Sequence, residues 1–287
     1  MPPSGFLVNE ERIHAAMAMK WTVEKIRGLK KSGERFACLT AYDAGTARLA
    51  DEAGIPLILV GDSLGMTVLG YETTLPVTMD QMIHHTAAAA RGVRSALLVG
   101  DMPFMSFQVS VEQGLTNAGR FLKEGGADAV KIEGGTFRSE LIAALVANGI
   151  PVLGHIGLTP QSIREMGGYR VQGKTPEAVE RLIADARAVA AAGAFALVVE
   201  CVPPHVGKAI TQAVEIPTIG IGAGPHCDGQ ILVWHDCLGL TPVERLPKFA
   251  RRFADLEGEI RRALGVYQQA VRSGEFPDIT NCYSNPT

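Results

Sequence analysis

Cysteine is scarce in this chain of 287 residues: the five are Cys38, Cys201, Cys227, Cys237 and Cys282, with no C-x-x-C pair among them. An odd, dispersed set argues against a disulfide framework and a structural zinc site, and it fits a reducing, cytoplasmic setting. An excess of one charge is also missing. With 27 Lys and Arg against 30 Asp and Glu, and a net charge of -3, the chain lacks the basic footprint of a nucleic-acid binder. No apolar run approaches the roughly 18 residues that a membrane span needs. The longest, Ala188 to Val199, is broken by Gly193 and stops at Glu200. Asn9-Glu10-Glu11-Arg12 interrupts any signal-peptide pattern. Charged residues make up only 20% of a chain with 32 Gly and 16 Pro, which excludes a coiled coil and a disordered polymer.

What is present is ample apolar side chain, 47% of residues, for a large core. Short, almost continuously apolar runs recur: Phe36-Asp43, Leu57-Asp62, Ala96-Asp101, Ala129-Glu133, Pro151-Gly157, Ala196-Glu200, Pro217-Gly222 and Ile231-His235. Strands buried on both faces read this way. Helical stretches lie between them. Thr175-Pro176 supplies an N-cap and first-turn proline before an apolar stripe that Gly193 ends, and Thr78…Gln81 and Ser110…Gln113 have capping-box spacing. Eight strands alternating with helices predict an α/β fold, a (β/α)8 TIM barrel. A doubly wound sheet is the alternative, but Tyr42-Asp43-Ala44-Gly45-Thr46 is no phosphate-binding glycine motif. The expected organisation is an unstructured extension over 1–20 (with Met17 or Met19 as an effective start), one barrel domain over 21–277 and a tail over 278–287. Two long connections, Ser63–Pro76 and Leu158–Lys174, are candidate lids at the C-terminal mouth, or else surface elaboration.

The ends of the strands carry the chemistry. Asp43, Asp62, Asp101, Glu133, His155 and Glu200 fall at or just past the C-terminal ends of successive runs. A single acid there is usually a turn former or helix cap, but a barrel gathers all six at one mouth. Several carboxylates in one cleft require a counter-charge, and oxygen ligands with little imidazole select Mg2+ or Mn2+. Lys131 shares the side of its strand with Glu133. It is an internal salt-bridge partner, a partner for a substrate carboxylate, or a Schiff-base lysine. His155, between Gly154 and Gly157, is either a ligand-facing group or a buried structural histidine. Gly220-Ile221-Gly222-Ala223-Gly224 weakly suggests a phosphate cradle, and His84-His85 reads as packing or interface.

Longer motifs bring a family into view. Val60-Gly61-Asp62-Ser63-Leu64-Gly65, Gly100-Asp101-Met102-Pro103-Phe104-Met105, Val130-Lys131-Ile132-Glu133-Gly134-Gly135, Gly154-His155-Ile156-Gly157-Leu158-Thr159-Pro160-Gln161-Ser162 and Gly168-Tyr169-Arg170-Val171-Gln172-Gly173-Lys174 resemble ketopantoate hydroxymethyltransferase. The likeness runs from about Trp21 to Pro277. It implies a barrel of the phosphoenolpyruvate/pyruvate superfamily. The implied reaction carries a hydroxymethyl unit from 5,10-methylenetetrahydrofolate to 3-methyl-2-oxobutanoate through a Mg2+-stabilised enolate, for pantothenate biosynthesis. It also implies metal ligands Asp62, Asp101 and Glu133 and substrate contacts at Asp62, Ser63, Asp101 and Lys131. Glu200 would be the proton acceptor and His155 a supporting group. The expected partners are a 2-oxo acid, the folate and further copies of the chain in a homo-oligomer, a decamer by resemblance, with no nucleic acid and no membrane. Arg164, Arg170 and Lys174 are candidates for the folate's glutamate tail, or simply a solvated loop. The alternative function is another Mg2+-dependent carbon–carbon lyase or mutase of a 2-oxo acid. A Schiff-base aldolase using Lys131 and a catalytically silent barrel stand behind it.

Overall fold

The structure is a computed structural model and describes residues 20–283. The extension expected over 1–20 therefore lies outside the described residues except for Lys20, and the tail does so beyond Tyr283. A first helix, α1 (Val23–Ser32), leads into β1 (Phe36–Thr40), α2 (Ala44–Glu52), β2 (Leu57–Val60), α3 (Leu64–Thr67) and α4 (Met79–Gly92). There follow β3 (Leu97–Asp101), α5 (Val111–Lys123), β4 (Ala129–Glu133), α6 (Ser139–Ala147), β5 (Val152–Gly157), α7 (Ile163–Met166) and α8 (Pro176–Ala191). The barrel finishes with β6 (Ala196–Glu200), α9 (Pro204–Ala213), β7 (Thr218–Ile221) and β8 (Gly229–Leu232). Adjacent strands pair in parallel and β8 returns to β1, closing the barrel expected from the alternation of runs and helices.

Strand parity makes the interior. Leu57 and Leu59, Leu97 and Val99, Ala129, Leu153, Ala196 and Val198 belong to one buried cluster. Successive side chains alternate faces, so the next positions of the same parity are Asp101 on β3, Lys131 and Glu133 on β4, His155 on β5 and Glu200 on β6. One face of β3, β4, β5 and β6 thus changes from apolar to charged as it nears the C-terminal end. The other face packs under helices so closely that Gly100 and Gly154 have no room for a side chain. A Cβ there would lie 2.2 Å from Phe121 and 2.4 Å from Val189.

Helix α1 seals the opposite end. Ile26 and Leu29 join the interior cluster. Arg27 donates to the Gly193 carbonyl and Lys30 to the Thr211 carbonyl and Asp228, groups that lie just ahead of β6, β7 and β8. Among the described residues, α1 thus covers the end of the barrel opposite its C-terminal mouth.

Boundaries differ from expectation where apolarity alone was the guide. β1 stops at Thr40, because the chain turns toward Asp43, which caps α2. Trp234 and His235, expected to end the last strand, instead open helix α10 (Trp234–Leu238); a short buried apolar run fits a strand or a helix turn equally well. Thr78 and Gln81 form the expected capping box. Ser110 accepts from the Gln113 N–H, but the Gln113 side chain takes the Val109 N–H instead of completing the box. The described residues fall into two compact units, one ending at Val233 and one beginning at Trp234. The second unit contains α11 (Leu256–Ser273), an amphipathic helix of which no residue is buried.

Candidate active site

Register brings the strand-end groups into contact. Asp101 and Lys131 are Cα partners between β3 and β4, and Glu133 and His155 between β4 and β5. The Lys131 ammonium donates to both Asp101 carboxylate oxygens at 2.7 and 2.8 Å and lies 3.7 Å from Glu133 Oε1. His155 places Nδ1 3.5 Å from Glu133 Oε1 and Nε2 3.1 Å from Glu200 Oε2. These are ion-pair separations without the alignment of hydrogen bonds. Asp62, two residues beyond β2, turns in beside them: its N–H donates to Asp101 Oδ2 at 3.1 Å. Ser63 Oγ is 3.0 Å from Tyr42 Oη, which accepts from Thr40. Asp62, Asp101, Lys131, Glu133 and His155 are between 2% and 5% exposed. Glu200 is less enclosed.

Burial and crowding set the protonation tendencies. Burial, then the Asp101 charge, push the Asp62 carboxyl well above the usual range, with Lys131 opposing. Burial likewise raises Asp101 against the pull of Lys131. Burial would raise Glu133 too, but Lys131 and His155 outweigh it and hold that carboxyl low. Lys131 stays above its ordinary value because Asp101, Glu133 and Asp62 outweigh its burial. Burial and Lys131 would depress His155, yet Glu133 and Glu200 bring it up to about 9. The imidazole is therefore a cation clasped between two carboxylates.

Four carboxylates, Asp62, Asp101, Glu133 and Glu200, thus face Lys131 and His155. Among the described residues no three His, Cys, Asp or Glu side chains converge as a ready-made metal cage. Mg2+ needs none, since it takes one or two carboxylates and completes its shell with water and substrate oxygens. Asp62 and Asp101 fit that requirement: both are buried and adjacent, and burial raises both carboxyls. Glu133 Oε1, buried and without a hydrogen bond, stands at the edge of the same group.

One strand-end acid does not join. Asp43 is exposed and caps α2, accepting the Thr46 N–H at 2.8 Å in a full capping box. Its expected place in the mouth is corrected to the helix-cap role. The glycine run after β7 packs instead of opening into a cradle: Gly224 lies against Pro204, and a Cβ at Gly207 would meet the Ala223 carbonyl at 2.4 Å. His85 Nδ1 sits 2.7 Å from the Tyr42 carbonyl, a packing contact.

Gln161 is the residue bonded into this group that strand reasoning passed over. Its side chain donates to Asp62 Oδ2 and to the Met102 carbonyl, accepts from Gln108, and its N–H donates to Glu133 Oε2. It lies in a short 3-10 turn (Pro160–Ser162) of the long connection after β5, and only its place in the Gly154–Ser162 motif marked it. The two long connections meet at the mouth, where Tyr169 Oη reaches Met66 Sδ at 3.4 Å. Burial and the charges of Glu200, Asp62 and Glu133 all raise the Tyr169 phenol. Arg164, Arg170 and Lys174 are exposed.

Comparison with known proteins adds an independent line. The model of the ketopantoate hydroxymethyltransferase family matches residues 20–279. A protein of Carboxydothermus hydrogenoformans described as 3-methyl-2-oxobutanoate hydroxymethyltransferase is 54% identical over 263 residues, 92% of this chain and 95% of that protein. Among solved structures, phosphonopyruvate hydrolase in complex with oxalate and Mg2+ superposes with a TM-score of 0.60 at 16% identity, covering 93% of each chain. 2,3-Dimethylmalate lyase, a member of the PEP mutase/isocitrate lyase superfamily, gives 0.57 at 17% identity, covering 92% of this chain and 91% of that one. At such identities the likeness is one of fold.

Proposed function

The chain belongs to the ketopantoate hydroxymethyltransferase family and is an enzyme of that family, and from this premise we propose the reaction and the roles of its residues. The donor is 5,10-methylenetetrahydrofolate, the acceptor 3-methyl-2-oxobutanoate and the product 2-dehydropantoate, on the route to pantothenate in the cytoplasm. The transferred carbon gains a bond to C3 and a hydroxyl whose oxygen comes from water, while both of its bonds to folate nitrogen break. Asp62 and Asp101 hold Mg2+, with Glu133 alongside directly or through water. The metal, when bound, supplies an electrophilic pull on the oxo and carboxylate oxygens of the substrate.

Every other part is supplied by this chain. Lys131, fixed by Asp101, offers its charge to the substrate carboxylate, and Ser63 lies beside Asp62 to orient it. Glu200 takes the C3 proton. His155, charged and 3.1 Å from Glu200, keeps that carboxylate turned into the mouth. Gln161 links Asp62 to Glu133 and fixes their spacing. The pairing of Lys131 with Asp101 disfavours a Schiff-base aldolase, which needs a free amine. The exposed apolar stripe Ile260, Leu264, Tyr267 and Val271 on α11 supports a homo-oligomer, and the family resemblance a decamer.

The observation that carries the reading is the buried Asp62–Asp101–Lys131–Glu133 group with Glu200 at its rim. Its test is C3 deuterium exchange into 3-methyl-2-oxobutanoate with and without Mg2+, followed by product formation on adding the folate donor. Mg2+-dependent exchange with folate-dependent product is expected. Exchange without folate-dependent product would favour a lyase or mutase of a 2-oxo acid.

A further inference from the structure

A cavity of about 350 Å3, counted with its open mouth, adjoins the acidic group. Its inner wall is Glu133 and Gln161, the residues that also border Asp62; its outer wall is Phe104, Phe137 and Arg138. The two walls differ in chemistry. The inner one presents a carboxylate and an amide already committed to the oxo-acid site. The outer one presents aromatic rings to solvent, with Phe104 38% and Phe137 71% exposed. Such rings at a cavity mouth leave apolar area that a flat ligand would cover.

Arg138 gives the slot its sign. Its guanidinium lies 5.0 Å from the Phe137 ring centroid and 5.2 Å from that of Phe107, stacked between the two. Its Nε is buried and unbonded, and no carboxylate among the described residues pairs with it. A guanidinium held by rings, with donors left over, is arranged for an incoming oxygen anion. Gly134 keeps the slot narrow: at a φ of +124° it lets the chain turn so tightly that a Cβ would meet Arg138 at 2.6 Å and Phe137 at 2.8 Å.

We propose that this cavity is the subsite for the one-carbon donor, with Phe104 and Phe137 taking a flat aromatic ring and Arg138 a carboxylate attached beyond it. The assignment rests on the folate-dependent reading above and adds where the donor sits. Because Glu133 and Gln161 are shared walls, a ring in the slot lies directly beside the oxo acid, as carbon transfer between them requires. The exposed Arg164, Arg170 and Lys174 of the loop after β5 are not part of this slot.

The test is equilibrium binding of tetrahydrofolate, read by fluorescence or calorimetry, to the full-length protein and to Phe137→Ala, Arg138→Ala and Arg138→Lys. The expected dissociation constant rises about tenfold or more for Arg138→Ala, in line with the loss of a charged hydrogen bond. Arg138→Lys recovers part of it, and Phe137→Ala weakens binding several-fold. Phe137 is exposed enough that its truncation leaves folding intact, and a melting curve for each variant checks this. In steady state the KM for the donor rises more than the KM for the oxo acid. Parent-like tetrahydrofolate binding by both alanine variants overturns the subsite while leaving the function in place. An equal rise of both KM values also overturns it, because the cavity would then serve the oxo acid. A parent protein that exchanges deuterium yet binds no tetrahydrofolate overturns the folate reading and the subsite together.

Discussion

His155 Nε2 stands 3.1 Å from Glu200 Oε2, across neighbouring strands β5 and β6, while Nδ1 of the same ring faces Glu133. The imidazolium therefore binds the proposed base to the proposed metal group. Glu200→Gln keeps size and polarity but cannot accept the proton. C3 exchange is expected to fall by about 10²–10⁴-fold, with oxo-acid binding, measured by calorimetry, retained. His155→Gln removes the cation and leaves Glu200 to reorient, so exchange falls by less.

The metal site has a pH signature of definite sign. Metal binding needs Asp62 ionised, and its raised carboxyl lets protons compete over a range where an ordinary aspartate would already be free. Mg2+ affinity is expected to weaken as pH falls toward that range, and Asp62→Asn to lose both the affinity and most of the slope. Isothermal titration with Mg2+ across a series of pH values reads it.

Without metal, stability should move the other way with pH. A folded carboxyl that holds its proton more tightly than the unfolded chain contributes stability that is lost as pH rises through its folded value. Asp62 and Asp101 both act so. His155, up to about 9, adds a contribution present in full below its unfolded value near 6.5 and lost as pH rises through 9. The metal-free melting temperature therefore declines as the medium becomes alkaline, and Mg2+ restores it. A melting temperature that rises across this interval contradicts the assignment.

Gly157 ends β5 at a φ of +94°, where a Cβ would lie 2.2 Å from the Glu200 carbonyl oxygen. Gly157→Ala is expected to cost about 1–3 kcal/mol and to shift Glu200, so that exchange drops more than stability alone explains. Denaturant melts beside exchange rates separate the two effects.

Asp51 is a structural carboxylate far from the chemistry. It is buried and accepts the N–H groups of Arg94, Ser95 and Ala96 and the Ser95 hydroxyl, pinning α2 to the start of β3. Asp51→Ala leaves those buried donors unsatisfied, and a loss of roughly 2–4 kcal/mol in urea unfolding is expected.

Leu264 centres the exposed stripe of α11. Leu264→Glu is expected to lower the mass seen by sedimentation if that stripe is covered by another copy of the chain; an unchanged mass would remove α11 from the interface.

The barrel and the grouping of Asp101, Lys131, Glu133, His155 and Glu200 were legible because both follow from period-two alternation along strands whose ends must converge. Asp43 resembled them in sequence and differs physically: β1 stops at Thr40, and a helix N-terminus three residues later claims the carboxylate. Gln161, Tyr42 and Arg138 were not legible as parts of the site. Gln161 and Arg138 reach the site from turns whose path no periodicity encodes, and Tyr42 lies past the end of β1. The end of the eighth strand ran too far, into Trp234 and His235, for a related reason, since an apolar run of this length carries no mark of strand or helix.

The seal that α1 places on the barrel has a kinetic meaning. A vessel with one opening releases its contents in the reverse of the order in which they entered. On the proposed placement, with the oxo acid at the buried acids and the donor's ring in the slot nearer the rim, the small acid would load first and the spent carrier would depart before the elongated acid could follow.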